Sequence, residues 1–164
     1  MSDQKCIISW KEIITDTLSL AQKITSSSTQ EIAAIIAVGR GGNIPGTLLS
    51  YHLGVKTVFN YNVQTYNNNN VQDKANIDIV QMPSFDTLSR VVNGRVLVVD
   101  DLSDNGTTLH HINNALTPLI TNLEFCTLYT KQGTSFVPNH SIREYEKDKW
   151  IYFPWDDLRS SLAF

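Results

Sequence analysis

The residue pattern predicts an α/β domain: a three-layer, mostly parallel sheet with flanking helices. Ile32–Val38 and Val96–Val99 are unbroken apolar runs rich in β-branched residues, the signature of strands buried on both faces. Around them lie helix-period segments of about ten residues, and strands alternating with helices of that length form parallel βαβ units. In open sheets of this kind ligands bind beyond the carboxyl ends of the strands. The turns after Val38 and after Val99 are therefore where function is to be sought.

Each element has its own warrant. Ser9-Trp10-Lys11-Glu12 reads as a capping box, Ser9 and Glu12 reciprocally satisfying the first free amides of a helix. Ile13, Ile14, Thr17, Leu18, Ala21 and Ile24 then repeat down one helical face until Ser26–Thr29 breaks it. After Ile32–Val38, Gly39-Arg40-Gly41-Gly42 turns the chain, and Pro45 suits the first turn of a helix running to about His52. Gly54 ends that helix, and Val55–Tyr61 reads as a strand. From Asn60 to Gln81 the composition turns polar, with Asn67–Asn70 favouring neither helix nor strand. A mobile loop, a candidate lid, is expected over about 62–81 with weak strand at its edges. Asn93-Gly94 turns into the Val96 strand; Leu109, Ile112, Leu116 and Leu119 mark a helix face stopped by Pro118; Leu123–Thr130 is a further strand. From Gln132 an irregular tail is expected, up to the aromatic run Lys149–Trp155.

With 164 residues the chain fits one domain, large enough to bury roughly two-thirds of its unfolded surface. Its 41% hydrophobic and 18% charged residues are ordinary for a globular protein. A net charge of −3 leaves no basic excess to displace counterions, which argues against a nucleic-acid surface. No apolar stretch is long enough to span a bilayer, and Met1–Lys5 leads into no signal-peptide core, so a cytoplasmic protein is expected. Cys6 and Cys126 lack metal-type spacing and read as two buried free thiols.

Val96–Thr108 carries the most chemistry. A buried strand leads into Asp100-Asp101, then through Ser103-Asp104-Asn105-Gly106 to Thr107-Thr108 at a helix start. Gly106 can take a conformation closed to other residues, and the amides of Gly106, Thr107 and Thr108 would then form a phosphate-binding nest. Carboxylates beside a bare phosphate would repel it. They make sense if the phosphate belongs to a sugar whose diol they accept from, or if a divalent cation joins them. The simpler alternative is an Asp-rich turn that caps the helix, Asp104 serving as N-cap.

At this point the chain resembles the type I phosphoribosyltransferases, whose phosphoribosyl diphosphate signature is a strand, two acids, a short spacer and an Asp-Thr-Gly-x-Thr-like loop. Asn105 departs from the usual Thr. Gly39-Arg40-Gly41-Gly42, with Pro45 beyond, resembles the diphosphate-binding loop of the purine members; glycines admit an anion to the backbone, and Arg40 offers bidentate bonds. Taken singly, it could be a tight turn with a surface arginine. Lys131 closes its strand where the family places a lysine that donates to the oxygen at purine C6, although a solvated strand-exit lysine is the commoner case. Trp150-Ile151-Tyr152-Phe153-Pro154-Trp155-Asp156 is similar to the tail of the bacterial xanthine-guanine phosphoribosyltransferases. There Trp150 or Ile151 would cover the purine face, with Trp155 a packing aromatic. The match runs from Trp10 to Asp156. His52, His110, His111 and His140 form no ligand set and read as surface or packing residues.

The resemblance implies the type I phosphoribosyltransferase fold with a small C-terminal hood over about 132–164, a homo-oligomer (dimer or tetramer), and purine salvage. Ribose 5-phosphate would pass from phosphoribosyl diphosphate to a 6-oxopurine with Mg²⁺ as cofactor. Asp100 and Asp101 would hold the diol, Asp101 also the metal; Arg40 and Gly41 the diphosphate; Asn105, Gly106, Thr107 and Thr108 the 5-phosphate. Asp104 would handle the purine N7 proton, and Lys131, Trp150 and Ile151 the base. Two other readings compete: a non-catalytic nucleotide-sensing regulator of the same fold, and an enzyme acting on a pyrimidine. Asp104 with Lys131, and the lack of a basic patch, speak against the first; the Trp150-Ile151 tail speaks against the second.

Overall fold

A computed structural model describes residues 5–65 and 77–156. The elements are β1 (Lys5–Ile7), α1 (Trp10–Ser27), β2 (Ile32–Gly39), α2 (Asn43–Leu53), β3 (Val58–Thr65), β4 (Ile77–Gln81), α3 (Phe85–Leu88), β5 (Arg95–Ser103), α4 (Thr107–Leu116), β6 (Asn122–Lys131), β7 (Arg143–Tyr145) and β8 (Trp150–Tyr152). Six strands form the main sheet in the order β4-β3-β2-β5-β6-β7, parallel except for the antiparallel β4 edge. β1 and β8 make a separate parallel pair.

The central strands are buried on both faces, as their continuous apolar runs require. Ile35, Leu97, Val99 and Leu128 pack with Leu20, Ile24 and Leu49 of α1 and α2 on one side. Ile36, Val96, Val98 and Phe125 pack with Leu88, Leu109 and Ile112 on the other. This is the expected three-layer arrangement.

α1 begins at the expected capping box, with Ser9 N–H donating to Glu12 Oε2 at 2.8 Å and Glu12 N–H to Ser9 Oγ at 3.2 Å. Its buried face is rotated from the one expected. Ile14 and Leu18 are exposed, while Asp16 and Leu20 turn inward. Asp16 can be buried because both its oxygens are satisfied, Oδ2 by Tyr129 Oη at 2.8 Å and Oδ1 by Arg143 Nη2 at 2.8 Å.

Other corrections concern the strands. β3 spans Val58–Thr65 rather than Val55–Tyr61, and its antiparallel pairing with β4 supplies the strand expected at the edges of the 62–81 loop. Residues 66–76 of that loop lie outside the described residues. The tail after Lys131 holds β7, which joins the sheet edge through bonds such as Gln132 N–H to Tyr145 O at 2.8 Å. α3, β1 and β7 had no local signal. Cys126 is buried, but Cys6, on the small outer sheet, is only half-buried.

The packing reading of His140 holds in a specific form. Arg95, 1% exposed, gives Glu124 two bonds at 2.8 and 2.9 Å, and His140 Nε2 lies 2.8 Å from the same carboxylate. Arg95 also bonds Ser27 Oγ at 3.1 Å, so one buried cation ties α1, β5 and β6, and Glu124 carries the link on to His140. The Arg95 guanidinium holds the Glu124 carboxyl below its ordinary range. No helix among the described residues is long and apolar enough to cross a membrane.

Candidate active site

β5 does not stop at its acids. Paired with the long β6, it runs through Asp100 and Asp101 to Ser103, whose hydroxyl donates to Phe136 O at 2.8 Å. Asp100 is buried, and its Oδ1 accepts the Asp101 N–H at 2.9 Å. Burial and the neighbouring Asp101 raise the Asp100 carboxyl well above its ordinary range. Burial likewise pushes Asp101 up to about 6, with the charge of Asp156 adding to the rise. Among the described residues no group of three or more His, Cys, Asp or Glu side chains is placed to hold a metal. The acid pair thus stands as two hard oxygen donors held at an energetic cost.

Beyond Ser103 the backbone turns. Gly106 sits at φ 87° as the N-cap of α4, with no room for a Cβ because the Phe136 backbone and the Ser135 hydroxyl press against it. The N-cap is two residues later than an Asp104 cap would require, so Asp104 does not cap the helix. Its Oδ1 lies instead 3.2 Å from Lys131 Nζ. The Lys131 side chain is 9% exposed, not a solvated strand-exit lysine. The amide nest is partly occupied: Thr107 N–H donates to Asn105 Oδ1 at 3.0 Å. The Asn105 carbonyl in turn accepts from Ser135 Oγ at 2.6 Å and Ser135 N–H at 3.1 Å.

The Arg40 turn lies beside the acids because β2 and β5 are neighbours. It is closed by Gly42 N–H to Val38 O at 2.9 Å and Asn43 N–H to Arg40 O at 3.1 Å, and the Gly39–Arg40 peptide is cis. A Cβ at Gly41 would overlap the Asp101 carboxylate, and one at Gly42 the carbonyls of Val99 and Val38. Arg40 itself is exposed.

The structure therefore gathers Arg40, Gly41, Asp100, Asp101, Asp104, the Asn105–Thr108 turn and Lys131 at the carboxyl edge of β2, β5 and β6. Trp150 and Ile151 lie on the separate β1–β8 sheet. Trp150 is 59% exposed, but the Ile151 side chain is buried in the core with Ile8 and Phe153, leaving only its backbone to meet a ligand. Trp155 stacks on Phe153 at 4.6 Å and lies 5.9 Å from Trp10, the packing role expected of it. Sequence reasoning missed Asn43, Asn60 and Ser135, which support the two turns; a polar residue inside a strand run was the only signal, and only for Asn60.

An acid pair beside two glycine turns is a site suited to a phosphorylated sugar, and the family comes from comparison with known proteins. The phosphoribosyl transferase domain model matches residues 3–157, and the chain belongs to that family. It is 30% identical over 152 residues to the xanthine-guanine phosphoribosyltransferase of Cereibacter sphaeroides, covering 91% of this chain and 85% of that one. The purine phosphoribosyltransferase of Pyrococcus horikoshii superposes with a TM-score of 0.76 at 28% identity, over 93% and 94% of the two chains. A Neisseria gonorrhoeae protein with bound ppGpp gives 0.78 at 25% identity, over 99% and 97%.

Proposed function

We propose that this protein is a purine salvage phosphoribosyltransferase that transfers ribose 5-phosphate from phosphoribosyl diphosphate to a 6-oxopurine. The observation that carries this reading is the pairing of buried Lys131, at the end of β6, with part-exposed Asp104, just past the end of β5, at 3.2 Å. Asp104 belongs to the turn suited to a monophosphate, and the Arg40 turn suited to a diphosphate follows the neighbouring strand β2. A 6-oxopurine offers one group to each partner. Lys131 donates to the oxygen at C6, and Asp104 accepts the proton at N7. Adenine would set its amino donor against the ammonium donor, which disfavours it.

In the reaction the bond from ribose C1 to the diphosphate oxygen breaks, its electron pair leaving with diphosphate while positive charge builds on the ring. Purine N9 supplies the pair for the new bond to C1, and Asp104 takes the proton the base loses. Asp100 and Asp101 accept from the ribose diol, and their raised carboxyls fit a site completed by a cation. A Mg²⁺ ion would be held by Asp101 together with substrate oxygens and water, and would supply charge neutralisation to the leaving diphosphate. Arg40 and Gly41 hold that diphosphate, and Gly106, Thr107 and Thr108 the 5-phosphate. Trp150 covers the base.

The test is a panel of guanine, xanthine, hypoxanthine, adenine, uracil and orotate with phosphoribosyl diphosphate and Mg²⁺, followed by nucleotide formation. Turnover of at least one 6-oxopurine and none of the pyrimidines is expected. Turnover of a pyrimidine alone, or of no base, would overturn the reading.

A further inference from the structure

We propose that Asn60 and Asn43 form a brace that sets the position of the Arg40 turn. This inference rests on the phosphoribosyltransferase reading, in which that turn holds the diphosphate. Asn60 stands on β3 opposite Ala37 of β2. Its Nδ2 donates to Oδ1 of Asn43, the first residue of α2, at 2.6 Å in a half-buried setting. Asn43 meanwhile closes the turn through its own N–H to Arg40 O. One residue thus ends the turn with its backbone and receives the brace with its side chain.

The pair also bears on the turn directly. A Cβ at Gly39 would lie 3.2 and 3.3 Å from the two amide heteroatoms of Asn60, and 3.5 Å from Asn43 Nδ2. The amides are therefore packed against the residue that precedes Arg40. On the other side the turn meets the Asp101 carboxylate at Gly41. The turn is held between an anionic wall that binds substrate and a neutral wall that does not.

The chemistry of the neutral wall suits this role. A carboxylate at residue 60 would add negative charge beside a diphosphate site, and an aliphatic side chain would offer no directional bond across to α2. Asn has low strand propensity, so β3 carries Asn60 at a local cost. Holding the turn gives that cost a purpose. Asn43 and Asn60 are positioning residues here.

The experiment compares wild type with Asn60→Ala, Asn43→Ala and the double variant by steady-state kinetics, and by hydrogen exchange of the turn amides without substrate. Each single variant should raise KM for phosphoribosyl diphosphate about five- to tenfold, the loss expected of one neutral hydrogen bond, while KM for the purine stays within about twofold. The double variant should be no worse than either single, since both remove the same contact. Asn43→Asp keeps the acceptor and should exchange like wild type. The Asn43 amide should exchange faster in Asn60→Ala. Additive effects, equal rises in both KM values, or unchanged exchange would overturn the brace. If wild type shows no transferase activity, the functional reading fails, and exchange at Asn43 still decides the brace.

Discussion

After β2 the chain reverses within four residues, and the Arg40 turn is closed by its own backbone and the strands on either side. After β5 the turn to α4, equally short, leans on a distant segment: Ser103, Asp104 and Asn105 each bond to a residue between Lys131 and Phe136. The first turn is shaped by exclusion, since glycines are needed where Asp101 and two strand carbonyls leave no space. The second is shaped by attachment, since its left-handed glycine is clasped by Ser135 and Phe136. A locally closed turn can be displaced without unfolding its surroundings. A clasped one shares its contacts with Lys131, Ser135 and Phe136, so damage to it should reach them.

The largest effect should come from the attached side. Asp104→Asn keeps an acceptor for Lys131 but cannot take the N7 proton, so kcat should fall by about 10²-fold or more with phosphoribosyl diphosphate affinity nearly unchanged. Near-normal turnover would remove Asp104 from the chemistry. The two glycines then test the comparison itself. Gly106→Ala forces a Cβ into a left-handed residue pressed by backbone and should cost about 2–3 kcal/mol in urea unfolding. Gly41→Ala meets a side chain that can rotate away, so it should cost about 1 kcal/mol yet raise KM for phosphoribosyl diphosphate about tenfold. Equal stability losses would erase the distinction between the turns.

How much of this was legible in the sequence depends on how local each cause is. β2, β5 and β6 could be read because strands buried on both faces leave continuous apolar runs. β3 was ended at Tyr61 in the reading because Asn62 and the polar residues after it look like loop residues. The phase of α1 was misjudged because Asp16 is buried only by virtue of Tyr129 and Arg143, 113 and 127 residues away. The site residues named in the sequence are contiguous motif residues. The residues that clasp or brace them, Ser135 and Asn60, come from other parts of the chain and carry no spacing signal. Whether Lys131 was solvated could not be read at all, because its burial depends on the fold around the end of β6.

A smaller effect concerns pH. Carboxyls raised on folding penalise the native state above their folded pKa, and the penalty fades as pH falls toward the unfolded value. Asp101→Asn should therefore stabilise the substrate-free protein by about 1 kcal/mol at pH 7.5, allowing for partial exposure, with the gain vanishing near pH 4 while activity is lost. Thermal midpoints across that range decide it; a destabilised variant at pH 7.5 would mean that the acids are satisfied without ligand. The smallest effect is at Asn105, whose carboxamide occupies the Thr107 amide that a phosphate would need. Asn105→Thr should lower KM for phosphoribosyl diphosphate about two- to threefold, by the weak bond no longer displaced. A raised KM would show that the carboxamide helps to shape the cradle.

The pairing of Lys5–Ile7 with Trp150–Tyr152 bears on biosynthesis. On the ribosome the first strand waits for a partner made some 145 residues later, whereas β2, β3 and β5 are all synthesised before residue 104. A nascent chain can therefore hold the centre of its sheet while Ile8 and Ile13 still lack Ile151 and Phe153, their neighbours in the finished core. That uncovered start of α1 is the surface a chaperone would meet until Trp150–Tyr152 have been made and paired.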